Sequence, residues 1–244
     1  MAARVRVREN WFTQKPNSYA WNLVIFLGAL LASVAAFYLT GSSGAAEWMP
    51  ATGEAVFGKR EYYRLWTTLF AHGDFSHLLS NSFLFFPLAY FLSAHFSLFV
   101  FPVLAIALGG LTNFLVLKTL PPGVTLIGIS GVVYWMGAAW LTLFLLIDRR
   151  ERLRRRLGTA LFLFLMLFVP ERIRPEVSYL SHAVGFLSGM LSALVIYAWN
   201  RKKYAAAEIR ERIPEPVEAD DELTQLALAA GVPEKTKGGI APLR

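Results

Sequence analysis

The chain has 244 residues, of which 55% are hydrophobic and only 17% charged, against about 25% charge in an ordinary soluble domain. The net charge of +7 comes from Lys and Arg at the ends of apolar runs, where they serve topology and anionic headgroups, so no nucleic-acid partner is expected. With no cysteine, disulfides, thiolate nucleophiles and cysteine-based metal sites are excluded.

Asp, Glu, Lys and Arg are absent from residues 20–40, 75–117, 119–147, 157–170 and 177–200. About 20 apolar residues cross a bilayer core, so the chain reads as a polytopic membrane protein. The first run, 20–40, is longer than a signal-peptide core and is followed by further spans, so it is expected to be a retained helix. The long run 75–117 is enough for two helices, divided at Ser93-Ala94-His95-Phe96-Ser97. Pro121-Pro122-Gly123 forces a loop before the next span. The short run 157–170 makes a fifth span if arginines 152 and 154–156 snorkel at its edge. Six spans are expected in all, at about 20–40, 76–93, 98–117, 128–147, 157–171 and 179–199. Domain limits follow: an N-terminal tail over 1–19, a six-span domain over 20–200, and a polar, largely disordered tail over 201–244. A short helix is expected at 219–230.

Orientation comes from counting Lys and Arg. Four lie in the N-terminal tail, six in the loop 148–156 and eight after Asn200, all on one side of a six-span chain. Only Lys59, Arg60, Arg64, Lys118, Arg172 and Arg174 lie on the other. The positive-inside rule therefore makes both termini cytoplasmic, and spans two, four and six run from outside to inside.

Polar side chains inside apolar spans are costly and read as functional candidates. His77 and Asn81 open span two, Ser130 opens span four and His182 opens span six. All lie within roughly 10 Å of the outer end of their span, at 1.5 Å per residue. Ser130 sits between Gly128 and Gly131 in Gly-Ile-Ser-Gly, so another backbone can approach its hydroxyl. A helix start also offers free N–H groups to a developing oxyanion. A serine nucleophile needs a base. Of the four histidines, His95 falls on the cytoplasmic side, whereas His182 precedes Gly185 and Gly189, a small-residue face that permits close helix contact. His77 and Asn81, four apart, share one face of span two and suit an oxyanion hole. Tyr134, one turn beyond Ser130, is placed to pack on the His182 ring or to bond to it.

These residues resemble the rhomboid intramembrane serine proteases. His72-Gly-Asp-Phe-Ser-His77-Leu-Leu-Ser-Asn81 matches the family's His-x4-His-x3-Asn, and Gly128-Ile-Ser130-Gly131-Val-Val-Tyr134 its Gly-x-Ser-Gly with the following tyrosine. His182-Ala-Val-Gly185-Phe-Leu-Ser-Gly189 matches its His-x2-Gly-x3-Gly, and Tyr63-Arg64 stands where the family carries Trp-Arg, with the tyrosine a departure. The resemblance covers residues 20–200. It implies an all-α, six-helix membrane bundle and a Ser130–His182 dyad with no acidic third member. It also implies an oxyanion hole of His77, Asn81 and the Ser130 N–H.

In the same way the resemblance gives Arg64 the anchoring of the first loop, whose Trp48, Phe57, Tyr62 and Tyr63 suit the outer interface. Span five, with Phe162, Phe164 and Phe168, becomes a lateral gate facing Phe83, Phe85 and Phe86. The implied substrate is a single-span membrane protein cut near the outer leaflet, and the implied location is the bacterial plasma membrane. No cofactor or metal is implied. The alternative, an inactive rhomboid-like protein that binds membrane clients, generally lacks the serine or the histidine. A transporter would place its polar groups near the midplane. No His-Glu-x-x-His zinc motif and no pair of mid-span aspartates occurs in the chain.

Overall fold

The computed structural model describes residues 4–168 and 178–213, together with Leu226 and Ala229. The expected end of span five at 169–171, Arg172, Arg174 and most of the short helix read at 219–230 lie outside the described residues. In chain order the elements are β1 (Arg4–Glu9), α1 (Ala20–Leu39), α2 (Ala45–Trp48), α3 (Arg64–Thr67), α4 (Phe75–His95), α5 (Ala105–Leu117), α6 (Ser130–Ile147), α7 (Leu153–Phe168), α8 (Tyr179–Ala206) and β2 (Ile209–Ile213).

Helix boundaries follow local chemistry. The Asp74 carboxylate accepts the His77 N–H at 2.7 Å and starts α4, a side-chain N-cap that satisfies one orphan donor. Phe96, in extended conformation, ends α4 inside the break expected at 93–97. The Pro121-Pro122-Gly123 stretch lies in the loop between α5 and α6. Five helices are long and apolar enough to cross a membrane: α1, α4, Phe99–Leu117, α6 and α8. At 16 described residues, α7 is shorter. Outward faces are apolar, with Ile25, Phe26, Leu79, Phe83 and Leu191 all more than half exposed. That is the pattern of helices solvated by lipid, so the chain is a multi-pass integral membrane protein.

The core is built around α6, whose Trp135, Met136 and Leu143 are fully buried. Its closest neighbour is α8. A Cβ on Gly185 would collide with the Gly131 carbonyl, and one on Gly189 with that of Trp135. Only glycine lets the two backbones touch at these crossings.

Two features were not foreseen, and one expectation is corrected. First, beside the helical bundle, β1 and β2 pair antiparallel, with Arg4 opposite Ile213 and Arg6 opposite Glu211. Residues of the 1–19 segment and of the 201–244 segment are thereby paired with each other. Asn10 is fully buried and donates to Asp148 Oδ1 at 2.7 Å, while the Trp11 indole N–H donates to the His95 carbonyl at 2.8 Å. Second, α8 runs on as a helix past the expected end of the last span, to Ala206. Third, the phenylalanines of α7 do not face those of α4. Phe168 fills the slot that Gly137 leaves on α6, and Phe164 packs on Phe186 of α8 at 5.2 Å. Phe86 lies on Gly28 of α1, Phe85 packs on Phe101, and Phe83 and Phe162 are exposed.

Candidate active site

Two loops converge on the start of α6. Ala51 and Leu126 form an isolated antiparallel bridge, and the Thr68 hydroxyl donates to the Leu126 carbonyl. The Gly128 N–H donates to the Thr68 carbonyl at 2.9 Å. The segment before Ser130 is thus pinned to the end of the first loop. Arg64 holds that loop from the other side. Its Nε meets Glu61 at 2.5 Å, and Nη1 donates to the carbonyls of Glu47 at 2.7 Å and Pro50 at 3.0 Å.

Gly128 has φ +105°, a left-handed conformation that only glycine adopts without strain. It also lacks room for a side chain, because a Cβ there would stand 2.9 Å from His77 Cε1 and 3.8 Å from Asn81 Nδ2. The His77 ring and the Asn81 amide of α4 therefore lie directly against the backbone two residues before Ser130. Asn81 is 8% exposed, and its Nδ2 is buried without a hydrogen-bond partner. An unpaired buried donor is costly unless something comes to accept from it.

Ser130 is the first residue of α6, so its N–H belongs to the helix's unpaired first turn. One turn on, Tyr134 stacks face to face with His182 of α8 at 4.0 Å and 11°. The Tyr134 hydroxyl donates to the Phe168 carbonyl at 2.9 Å, so α6, α7 and α8 are tied around the imidazole. With Gly185 on Gly131 one helical turn further, His182 is held over the α6 face that carries Ser130 and Tyr134. Among the described residues no hydrogen bond joins Ser130 to His182, and His182 Nδ1 is buried without a partner. Contacts of this kind are often loose before substrate binds. His95 lies at the far end of α4, packed on Phe12.

A cavity of about 520 Å³ has Ser130, Gly128, His77 and Ser181 in its wall, while Asn81, Tyr134 and His182 lie outside its lining. Sequence reasoning passed over three of the residues that build the site. His72 is fully buried, packs on His77 at 5.0 Å and holds the Phe70 carbonyl through Nδ1 at 3.0 Å. Its only signal was its place at the head of the His-x4-His pattern. The other two, Ser178 and Ser181, precede His182 and looked like ordinary helix-start residues.

Against known proteins, no curated sequence gave a match. A family model described as the rhomboid domain matches residues 59–199, more than half of the chain and every element that carries Ser130, His182, His77 and Asn81. The chain belongs to the rhomboid family, whose members are generally serine intramembrane proteases.

Proposed function

We propose that this chain is an active serine endopeptidase that cuts single-span membrane proteins near the outer leaflet, through a dyad of Ser130 and His182. The observation that carries this reading is the stack of His182 on Tyr134, one turn from Ser130, beside an unpaired Asn81 amide. Ser130 Oγ attacks the scissile carbonyl while His182 takes its proton and later returns it to the leaving amine. Asn81 Nδ2, His77 and the Ser130 N–H supply donors where the oxyanion develops. No carboxylate orients His182 among the described residues, since Asp74 caps α4 and Asp148 binds Asn10 and Arg150 at the opposite end. The Tyr134 ring takes that orienting role.

The pairing of β1 with β2 supports six crossings. Entry into the bundle and exit from it on one side are what an even number of crossings gives. With α7 counted as a span beside the five longer helices, the total is six. With the Lys and Arg count, both termini are cytoplasmic, in the plasma membrane of a bacterium, and the site opens to the outer side.

The test is cleavage of a single-span reporter by membranes containing the chain. Ser130→Ala should abolish cleavage with the protein still expressed and thermally stable. A Ser130→Ala protein that still cleaves would refute the dyad.

A further inference from the structure

We propose that Asp74 selects substrates carrying a Lys or Arg close to the scissile bond, a specificity that rests on the Ser130–His182 dyad proposed above. Asp74 stands in the wall of the cavity that also holds Ser130 and His77. It is the only Asp, Glu, Lys or Arg among the described residues of that wall, which otherwise carries glycines, hydroxyls, an amide and two aliphatic side chains beside the histidine.

Capping explains the place of Asp74 but not its charge. Its Oδ1 accepts the His77 N–H at 2.7 Å, yet a carboxylate offers about four acceptor sites, so most of its capacity is left over. Ser, Thr or Asn would cap α4 as well without a charge, and α8 is indeed capped by Ser178. Two cations at the same end of the molecule are engaged elsewhere. Arg64 pairs with Glu61 at 2.5 Å, and the Lys118 ammonium lies over the Phe114 ring at 4.6 Å. Among the described residues no Lys or Arg forms an ion pair with Asp74. The carboxylate is exposed, so the cavity presents a negative charge with no partner from the fold.

A peptide that lays its carbonyl at Ser130 passes this carboxylate. Asp74 precedes His77 by three residues, about 4.5 Å of rise along α4, and an extended peptide advances about 3.3 Å per residue. A long cationic side chain within about three residues of the scissile bond therefore reaches it. An ammonium or guanidinium gains a charge-assisted hydrogen bond there, and an acidic side chain is repelled, so selection works in both directions. Phe75, the next residue, is 69% exposed on the apolar surface of α4. Asp74 thus sits where the lipid-facing wall ends and water begins, the level at which a single-span substrate carries its first charged residues.

The test uses full-length protein in detergent and a single-span reporter with Lys, Gln or Glu placed in turn at each position within about three residues of the cut. At one or more positions kcat/KM for Lys should stand about fivefold above Gln, and Glu about fivefold below, the span of an exposed ion pair. The spread should narrow at high salt. Asp74→Asn keeps a cap and loses the charge, so its three rates should come within about twofold of one another. Asp74→Glu keeps the charge on a poorer cap and should retain the order Lys, Gln, Glu. A capping role alone predicts the reverse, with Asn like the unsubstituted chain and Glu impaired in melting temperature and rate. Should Asp74→Asn fail to fold, Asp74→Ser takes its place with the same expectation. Equal rates for the three reporters in the unsubstituted chain, or an order that survives Asp74→Asn, overturns the proposal. A chain that cleaves none of them, or that still cleaves them as Ser130→Ala, defeats the dyad itself, an outcome distinct from either of these.

Discussion

His72 shows how a single buried residue ties the site to pH. Burial is the main cause that lowers its pKa from 6.5 to about 4; the Phe70 carbonyl opposes the shift and His77 adds to it. The folded chain thus keeps His72 neutral where the unfolded chain has begun to take up a proton. Stability linked to this group is fully present above about pH 6.5 and is lost as pH falls toward 4, because the unfolded state binds more protons in that window. Melting temperatures measured across that range should fall more steeply for the unsubstituted chain than for His72→Gln; equal slopes would show that His72 does not carry this linkage. His77, Asn81, Ser130 and His182 were legible in the sequence because each interrupts an apolar run, and a polar group in lipid needs a reason. His72 was less legible. It lies outside the span, so its burial arises only when the first loop folds over it.

At the scale of the element, the site depends on how closely α6 and α8 meet. The Gly185–Gly131 contact leaves no space for a Cβ, and the obstacle is backbone that cannot turn aside. Gly185→Ala should therefore destabilise the protein by about 1–3 kcal/mol, as overpacking usually does, and should lower activity by moving His182 from Ser130. Gly158→Ala in α7 is the control, since nothing lies within 4 Å of a Cβ there and alanine favours helix. Thermal unfolding of both variants in one detergent checks the contrast, and equal melting points would contradict it. The small-residue face of α8 was readable from the spacing of Gly185 and Gly189. The facing of the α7 phenylalanines was not. Phenylalanines along an apolar helix look alike in sequence, and only the slot at Gly137 decides that Phe168 turns toward α6 and α8.

The whole molecule has two differently built ends. At one end the loops carrying Arg64, Thr68 and Leu126 lock together under Ser130. At the other, β1 and β2 close a clasp, in which the Asp148 carboxyl is buried yet held below its usual range by Arg150 and Asn10. The helical architecture was legible from charge-free runs alone. The clasp was not, although Arg-Val-Arg-Val-Arg alternates as a strand does. Its partner lies some two hundred residues away, and a two-stranded pairing leaves no local trace of its mate. The proposed site lies at the end opposite the clasp, on the starts of α4, α6 and α8. Fluorophosphonate labelling, located by mass and followed in time, reads that convergence most directly. The label should appear on Ser130, fall to background in His182→Ala, and slow by about 10²–10³ in Asn81→Ala, the usual cost of one oxyanion donor. Full-rate labelling of His182→Ala, or a label on any other residue, would contradict the dyad.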